Sequence, residues 1–459
     1  MNRIFRFFSV IAIVFVAFSC VKTDDNDPIN PPAGEDQVLW KFSLSDSIGL
    51  ENVKSVALPA YDEANNGYYL LNVENPSSSY NGIDVCVVAL DASGTLKWHV
   101  KATDLPIDPS NESFIASSEG KIIVFMTEKL LCLDAESGNT AWSNDMYRTY
   151  WVNSMSVADG KIFYIDGTDI TEKIVGINLT DGSEFCRLAI NVPGEDIRGE
   201  LTMIAGGKLH VLTNDINNNN QWLSQLVIYD ISLLPSDSPV TYTTPLNFYP
   251  VTSVMAATSS GSALFFMKNE GNSDPVERYL VSVNSQGTEN WRAEVPSDVS
   301  DIYIDAAENI YCIGPNEFLR FSATGAKIFE AEIPFATYLN EFELLESSLF
   351  YGVTGNPETG EEDNIFTVFD LTTFSEQLRY GEYYPYAQIE GSSAQVYEEN
   401  YRRLGENAAF SSGKKVVDRT GKLISVSHES IYCVNTFENK LMPNAWSKRF
   451  GDYGNTNSR

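Results

Sequence analysis

Eight short apolar strands recur along this chain, and each is followed by an Asp, Asn or Ser that we call the anchor. The anchors are Asp91, Asp134, Asn178, Asp230, Asn284, Ser322, Asp370 and Asn435. The first and last anchors lie 435 − 91 = 344 residues apart, so the seven intervals average about 49 residues. A period of this length is typical of proteins in which each repeat is one supersecondary unit, and it constrains the fold more than any other feature of the chain.

Each repeat contains the signals of four short strands. A Gly follows most anchors by three or four residues, and an aromatic residue follows by seven or eight, as Gly94 and Trp98 follow Asp91. Two further apolar runs precede each anchor, such as 114–117 and 122–127, which flank the turn at Gly120. We therefore predict an all-β fold, an eight-bladed β-propeller of four-stranded antiparallel blades, with seven blades as the alternative.

The aromatic residue of the fourth strand falls on one face, where it can pack against the neighbouring repeat. The residues predicted to dock the blades on one another are Trp40, Trp98, Trp142, Phe185, Trp291 and Phe329. Trp40 lies in an apolar strand, 38–44, that no earlier strand precedes, whereas no Trp follows Asn435 at the expected distance. We expect this N-terminal strand to complete and close the last blade.

The N-terminus has the pattern of an export signal. Arg3 and Arg6 precede an apolar run, 7–18, which is too short to cross a bilayer and ends at Cys20. Residues 1–19 are predicted to be a lipoprotein signal peptide and Cys20 the lipid attachment site. The Asp-, Asn- and Pro-rich residues 20–36 are predicted to be a disordered tether, and 37–459 a single propeller domain.

Charge and side-chain chemistry narrow the function classes. The net charge is −31, from 62 acidic and 31 basic residues, which argues against nucleic acid as a partner. Beyond Cys20, the five cysteines form no CxxC or adjacent pair, and two of them, Cys132 and Cys433, occupy a repeat position where other repeats have Ala or Gly. We expect buried small residues there and no metal site, because the chain has only three His, none at ligand spacing.

The segments 89–98 and 132–142, each running from the third strand through the anchor turn to Trp, resemble the repeat of the PQQ-like β-propellers. The tail 445–456 is similar to the closing motif of these proteins, and the resemblance covers 38–459. It implies an eight-bladed ring in which the Trp packs between blades. Dehydrogenases of the family bind pyrroloquinoline quinone (PQQ) with an adjacent Cys–Cys disulfide, which this chain lacks, so we expect no cofactor. The same ring without quinone occurs in the branch of BamB-like lipoproteins, which act as protein-binding scaffolds at the outer membrane.

The repeats differ most in the loop between their second and third strands, which is long in repeats 1, 4, 5 and 7. Such insertions usually share one face of a repeat protein, often the binding face. The residues predicted to line this face are Tyr80, Asn217, Asn218, Trp222, Asn272, Asp274, Glu358, Glu361, Glu362 and Asp363.

Three functions remain open for that face. The first is docking of an envelope protein by a monomeric scaffold, anchored at the outer membrane and facing either the periplasm or the exterior. The second is binding of a glycan or small ligand through amides, carboxylates and aromatic rings. The third is an enzyme, either a PQQ-dependent dehydrogenase or one of unrecognised activity. We do not expect it, because the chain lacks adjacent cysteines and no nucleophile with its base is visible. Calcium at the acidic loop 358–363 is a further alternative, although the spacing of a calcium loop is missing.

Overall fold

The strand nearest the N-terminus pairs with the last strand near the C-terminus. Strand β1 (Val38–Ser43) runs antiparallel to β34 (Ser430–Val434), with Trp40 opposite Cys433. The side chain of Ser43 caps the short helix α1 (Leu44–Ile48) by accepting a hydrogen bond from Asp46 N. The predicted closure of the last blade by the N-terminal strand is therefore confirmed.

The computed structural model describes residues 38–51, 53–55, 57–74, 83–102, 114–126, 129–146, 155–166, 173–189, 198–214, 224–245, 248–269, 277–314, 317–333, 339–345, 348–354, 364–381, 401–403, 415–426 and 430–434. The contacts divide the chain after residue 35, and all described residues belong to the second unit, Asp36–Arg459. Within these residues, no helix has the length and apolar character needed to span a membrane.

The described strands form eight sheets, which we number blade 1 to blade 8 along the chain. Blade 1 contains β2 (Val53–Ser55), β3 (Ala60–Tyr61), β4 (Gly67–Glu74), β5 (Ile83–Leu90) and β6 (Leu96–Ala102). Blade 2 contains β7 (Phe114–Ser118), β8 (Lys121–Met126), β9 (Lys129–Asp134) and β10 (Thr140–Asp145). Blade 3 contains β11 (Met155–Ala158), β12 (Lys161–Asp166), β13 (Lys173–Asn178) and β14 (Glu184–Ala189). Blade 4 contains β15 (Arg198–Ala205), β16 (Lys208–Asn214), β17 (Gln225–Asp230) and β18 (Val240–Thr243).

The second half of the chain repeats the arrangement. Blade 5 contains β19 (Phe248–Ala257), β20 (Ala263–Asn269), β21 (Arg278–Val283) and β22 (Glu289–Glu294). Blade 6 contains β23 (Asp301–Ile304), β24 (Ile310–Ile313), β25 (Glu317–Phe321) and β26 (Lys327–Glu332). Blade 7 contains β27 (Leu339–Leu344), β28 (Ser348–Thr354), β29 (Asn364–Asp370), β30 (Glu376–Gly381) and β31 (Tyr401–Arg403). Blade 8 contains β32 (Lys415–Val417), β33 (Leu423–Val426) and β34, and β1 is its outer strand.

Seven of these sheets are built from consecutive strands, whereas the eighth combines β32, β33 and β34 with β1. In each sheet four strands pair antiparallel in chain order, apart from the short additions β3 and β31. Strand β31 pairs parallel with β30. The short helix α1 and a 3-10 turn, Ile231–Leu233, are the helical segments among the described residues.

The core lies in the seams between neighbouring blades. One apolar cluster joins Leu70 of blade 1 to Ile122 of blade 2, and comparable clusters join each pair of blades through to blade 7. Strand β27 of blade 7 contacts β32 of blade 8, and the cluster containing Leu71 and Ile424 joins blade 8 back to blade 1. These contacts link all eight sheets into a closed ring, as the predicted propeller requires.

Candidate functional site

The ring has two ends that differ in their connections. We call the turn end the one formed by the turns between first and second strands and by the anchor turns between third and fourth strands. We call the loop end the opposite one, where second and third strands are joined and where one blade passes to the next. The alternation follows from antiparallel pairing, because successive connections of an up-and-down sheet leave at opposite ends.

All ten residues predicted to line the binding face lie outside the described residues. They fall in the segments 75–82, 215–223, 270–276 and 355–363. The strands that flank these segments are the second and third strands of blades 1, 4, 5 and 7. The strand ends that bear the predicted binding residues therefore share the loop end.

The anchors form tight polar turns at the turn end. Asp134 Oδ1 accepts hydrogen bonds from Ser137 Oγ at 3.0 Å and from Ser137 N at 3.1 Å, and these bonds lower the pKa of Asp134. Asp91 makes the equivalent contacts with Ser93 N and Thr95 N. The repeated Asp is thus explained by turn geometry, because its carboxylate replaces the backbone acceptors that a tight turn needs.

The Trp of one blade lies on the anchor turn of the next. Trp98 of blade 1 donates from Nε1 to Ala135 O of blade 2 at 3.0 Å, and its ring covers Gly138. A Cβ on Gly138 would lie 2.6 Å from Trp98 Cδ2, and Gly138 has φ +71°. Both the space and the backbone conformation therefore demand glycine at this position.

At three more seams a Trp ring covers a glycine of the neighbouring anchor turn, and at two of them the Trp also donates to that turn. Trp142 donates to Leu179 O at 2.8 Å and covers Gly182, and Trp291 donates to Ala323 O at 3.1 Å and covers Gly325. Trp40 covers Gly94 and so joins blade 8 to blade 1. Small residues stand opposite these rings on the third strand, namely Ala89, Cys132, Ser282 and Cys433. All five described cysteines are free and buried, and burial raises the pKa of each thiol.

Phe185 differs from the four Trp residues because it lies one residue before the docking position of blade 3. Cys186, not Phe185, stands opposite Gly176, in the position that Trp98 holds opposite Ala89. Phe185 falls in the irregular step of the ladder, and its ring meets Phe163 of the same blade edge to face at 5.6 Å. The signal was present in the sequence, since Phe185 follows Gly182 by three residues, whereas Trp98, Trp142 and Trp291 each follow the Gly of their own turn by four.

Phe329 keeps the docking register but meets a different partner. It stands opposite Arg320, and its ring lies 6.5 Å from that of Phe374 in the anchor turn of blade 7. Phe374 adopts φ +54° and bonds back to the anchor Asp370, so it takes the place that glycine has in the other turns. The seam between blades 6 and 7 is therefore a cluster of phenylalanines, with Phe374 stacked on Phe318 at 4.3 Å and on Phe369 at 4.7 Å.

Inner hairpins of adjacent blades are also bonded to each other at the turn end. Asn65 of blade 1 donates from Nδ2 to Asp418 Oδ2 of blade 8 at 3.0 Å, and its Oδ1 accepts from Arg419 N. Glu119 accepts from Gly160 N in the next blade at 2.6 Å. These contacts tie the turn end together independently of the Trp residues.

Titratable groups in the seams are few and buried. His210 in β16 is fully buried between Met203 and Ile228 on the adjacent strands, and in the described structure neither ring nitrogen has a hydrogen-bond partner. Burial lowers the pKa of His210 to about 4. Across the described ranges, no group of three or more His, Cys, Asp or Glu is arranged to hold a metal.

Comparison with known proteins agrees with this architecture. A family model described as outer membrane protein assembly factor BamB matches residues 84–222, which span blades 1 to 4. This match supports the resemblance of the chain to the PQQ-like β-propellers. No curated protein matches its sequence.

Solved structures similar to this chain have low sequence identity to it. BamB from Moraxella catarrhalis is 11% identical with a TM-score of 0.49, and the match covers 86% of this chain and 100% of that one. A europium-containing methanol dehydrogenase is 11% identical with a TM-score of 0.45, covering 75% and 80% of the two chains. Hydrazine synthase from Kuenenia stuttgartiensis is 9% identical with a TM-score of 0.43, covering 71% and 97%.

The residues of this propeller do not fit the quinone site that the family resemblance describes. That site needs two adjacent cysteines, whereas the five described cysteines lie in five different blades, at positions 86, 132, 186, 312 and 433. Each of these thiols is buried within its sheet. We therefore derive no chemistry through a quinone.

Proposed function

We propose that this chain is a protein-binding scaffold of the cell envelope, held at the outer membrane through a lipid on Cys20. The match of residues 84–222 to a family model described as an outer membrane protein assembly factor is the observation that carries the proposal. The closed ring, with uniform turns at one end and connections of variable length at the other, suits a rigid support that presents loops to a partner.

The partner-binding surface is proposed to be the loop end. The turn end is occupied by its own contacts, since Trp rings and anchor carboxylates already bind neighbouring turns. Trp222 and Tyr80 belong to sequence segments whose flanking strands end at the loop end, and aromatic rings dominate the binding energy of protein interfaces. A partner that takes part in the assembly of outer-membrane proteins is the class most consistent with the family model.

In-cell photo-crosslinking tests this proposal. A photo-reactive residue is placed at position 222 or 80 at the loop end, and at the exposed Thr324 of an anchor turn as the matched control. We expect one envelope protein to be captured from the loop-end positions and none from position 324. Equal capture at both ends, or capture at neither, would contradict the scaffold, and a glycan adduct at position 222 would favour the ligand-binding alternative.

The lipid attachment at Cys20 is tested separately by Cys20→Ser. We expect metabolic labelling with a fatty acid to disappear and the protein to leave the membrane fraction. Labelling that persists in this variant would contradict lipidation at Cys20. The result does not depend on the identity of the partner.

A further inference from the structure

Arg278 is a buried cation at the loop end. It is the first residue of β21, directly after the exposed Glu277, and its side chain is only 7% exposed. It lies in blade 5 at the strand end that flanks the segment 270–276. The side chain is therefore at the end of the ring that the proposed partner would contact.

The guanidinium is held in a fixed orientation by two contacts. Nη1 donates to Ser297 O at 2.6 Å, and Ser297 belongs to the connection from blade 5 to blade 6. The face of the group lies over the ring of Phe266, with Cζ 4.8 Å from the ring centroid. One nitrogen and one face of Arg278 are thus satisfied within the seam.

The other edge of the guanidinium has no partner. Nε and Nη2 of Arg278 are both buried, and neither makes a hydrogen bond in the described structure. These two N–H groups point the same way and form the fork to which a carboxylate binds through both oxygens. We call them the Arg278 fork.

Two other arginines of the chain show this fork filled. Arg292 binds Glu289 with Nε–Oε1 at 2.7 Å and Nη2–Oε2 at 2.6 Å. Arg187 binds Glu184 in the same way, with Nη2–Oε2 at 2.7 Å. In both pairs the Glu precedes the Arg by three residues, whereas Pro275 has that place before Arg278.

A buried guanidinium with two unpaired N–H donors destabilises the folded state. Burial lowers the pKa of Arg278, although the charges of Asp298 and Asp301 oppose this effect. A guanidinium nevertheless stays protonated in proteins, so a buried charge is retained with two donors unsatisfied. Unsatisfied buried donors destabilise a fold, and a bound carboxylate would remove the penalty.

We propose that the Arg278 fork binds a carboxylate of the protein partner, at the loop end of the seam between blades 5 and 6. The proposal rests on the proposed scaffold function and specifies the chemistry of its recognition. The carboxylate is either an Asp or Glu side chain or a C-terminus.

The test uses the 15N–1H resonances of the arginine Nε–Hε groups in the mature chain. Sodium acetate replaces sodium chloride at constant ionic strength, and Arg278→Lys identifies the resonance of Arg278. Arg292 is the matched control, because Glu289 already fills its fork. We expect a saturable shift of the Arg278 resonance and none for Arg292. An Arg278 resonance that does not respond to acetate, or that chloride moves equally, would overturn the proposal.

Two pentapeptides then identify the source of the carboxylate. One is an all-alanine peptide with a free C-terminus, and the other has blocked ends and a central Glu. Tighter binding of one identifies its carboxylate class, and Arg278→Lys should weaken that binding about ten- to hundredfold through loss of a charge-assisted bond. If neither peptide binds and acetate does not bind either, the proposal that the Arg278 fork binds a carboxylate is contradicted. If acetate binds but no protein is crosslinked at position 222, carboxylate binding by the Arg278 fork is supported and the scaffold function is contradicted.

Discussion

The turn end and the loop end of the ring use the same strands, but they follow different rules. At the turn end, position and chemistry repeat from blade to blade, as in Trp98 over Gly138 and Trp142 over Gly182. At the loop end the connections vary in length, and a buried cation, Arg278, has donors that the fold does not use. The repeated contacts of the turn end serve stability, and we propose that the loop end carries the function.

Removal of β1 should cause the largest loss of stability. A chain that begins at Leu44 lacks the outer strand of blade 8, and with it the buried Phe42 and the contact of Trp40 with Gly94. We expect a loss comparable to the stability of an ordinary domain, about 5–15 kcal/mol, so that cooperative unfolding disappears. Circular dichroism during heating measures it, and a chain that begins at Asp36 is the control. An unchanged melt would mean that the ring does not need its closing strand.

Two glycines of blade 2 with the same φ angle test how much the Trp contact at the turn end contributes to stability. Gly138 and Gly120 both have φ +71°, but a Cβ on Gly138 meets Trp98 whereas one on Gly120 meets nothing within 4 Å. We expect Gly120→Ala to cost about 1–2 kcal/mol through strain alone and Gly138→Ala about 3–5 kcal/mol, because overpacking adds to the strain. Urea unfolding measures both. Equal losses would show that the contact with Trp98 is not the reason why position 138 requires glycine.

His210 gives a pH-dependent test of the seams. Its pKa is lowered by burial to about 4 in the folded chain, whereas an unfolded His titrates near pH 6.5. The unfolded state therefore binds the proton first, and stability falls as the pH decreases from about 6.5 to about 4. The loss should reach about 3 kcal/mol below that range. The difference in unfolding free energy between the wild type and His210→Leu should show this dependence. A difference that is constant with pH would contradict the buried neutral imidazole.

The smallest stability effect is expected at the loop end. Trp222→Ala and Tyr80→Ala should change the unfolding free energy by less than about 0.5 kcal/mol if these residues serve binding, as the sequence predicts. The same variants should lose most of the affinity for the captured partner, because aromatic anchors dominate interfaces. Urea unfolding and a pull-down measure the two effects. A large loss of stability would assign these residues to the core instead.

The repeat made most of the turn end predictable. Anchor spacing located the third and fourth strands of the blades, and the N-terminal Trp40 indicated how the ring closes. Phe185 was assigned to a docking position that Cys186 holds, because the aromatic residue lies three residues after Gly182, whereas the docking position is the fourth. Phe374 was missed because a non-glycine residue occupies the left-handed turn position, where its ring stacks on Phe318 and Phe369.

The sequence by itself determined the all-β repeat, the number of anchors and the pairing of the two chain ends. It could do so because tight turns and β-strands depend on residues that are close together along the chain. The tertiary structure decided which Trp covers which glycine, which hairpins are bonded across blades, and that Arg278 is buried with its fork unfilled. Those features arise between residues of different strands or blades, whose distances and burial exist only after the blades have packed.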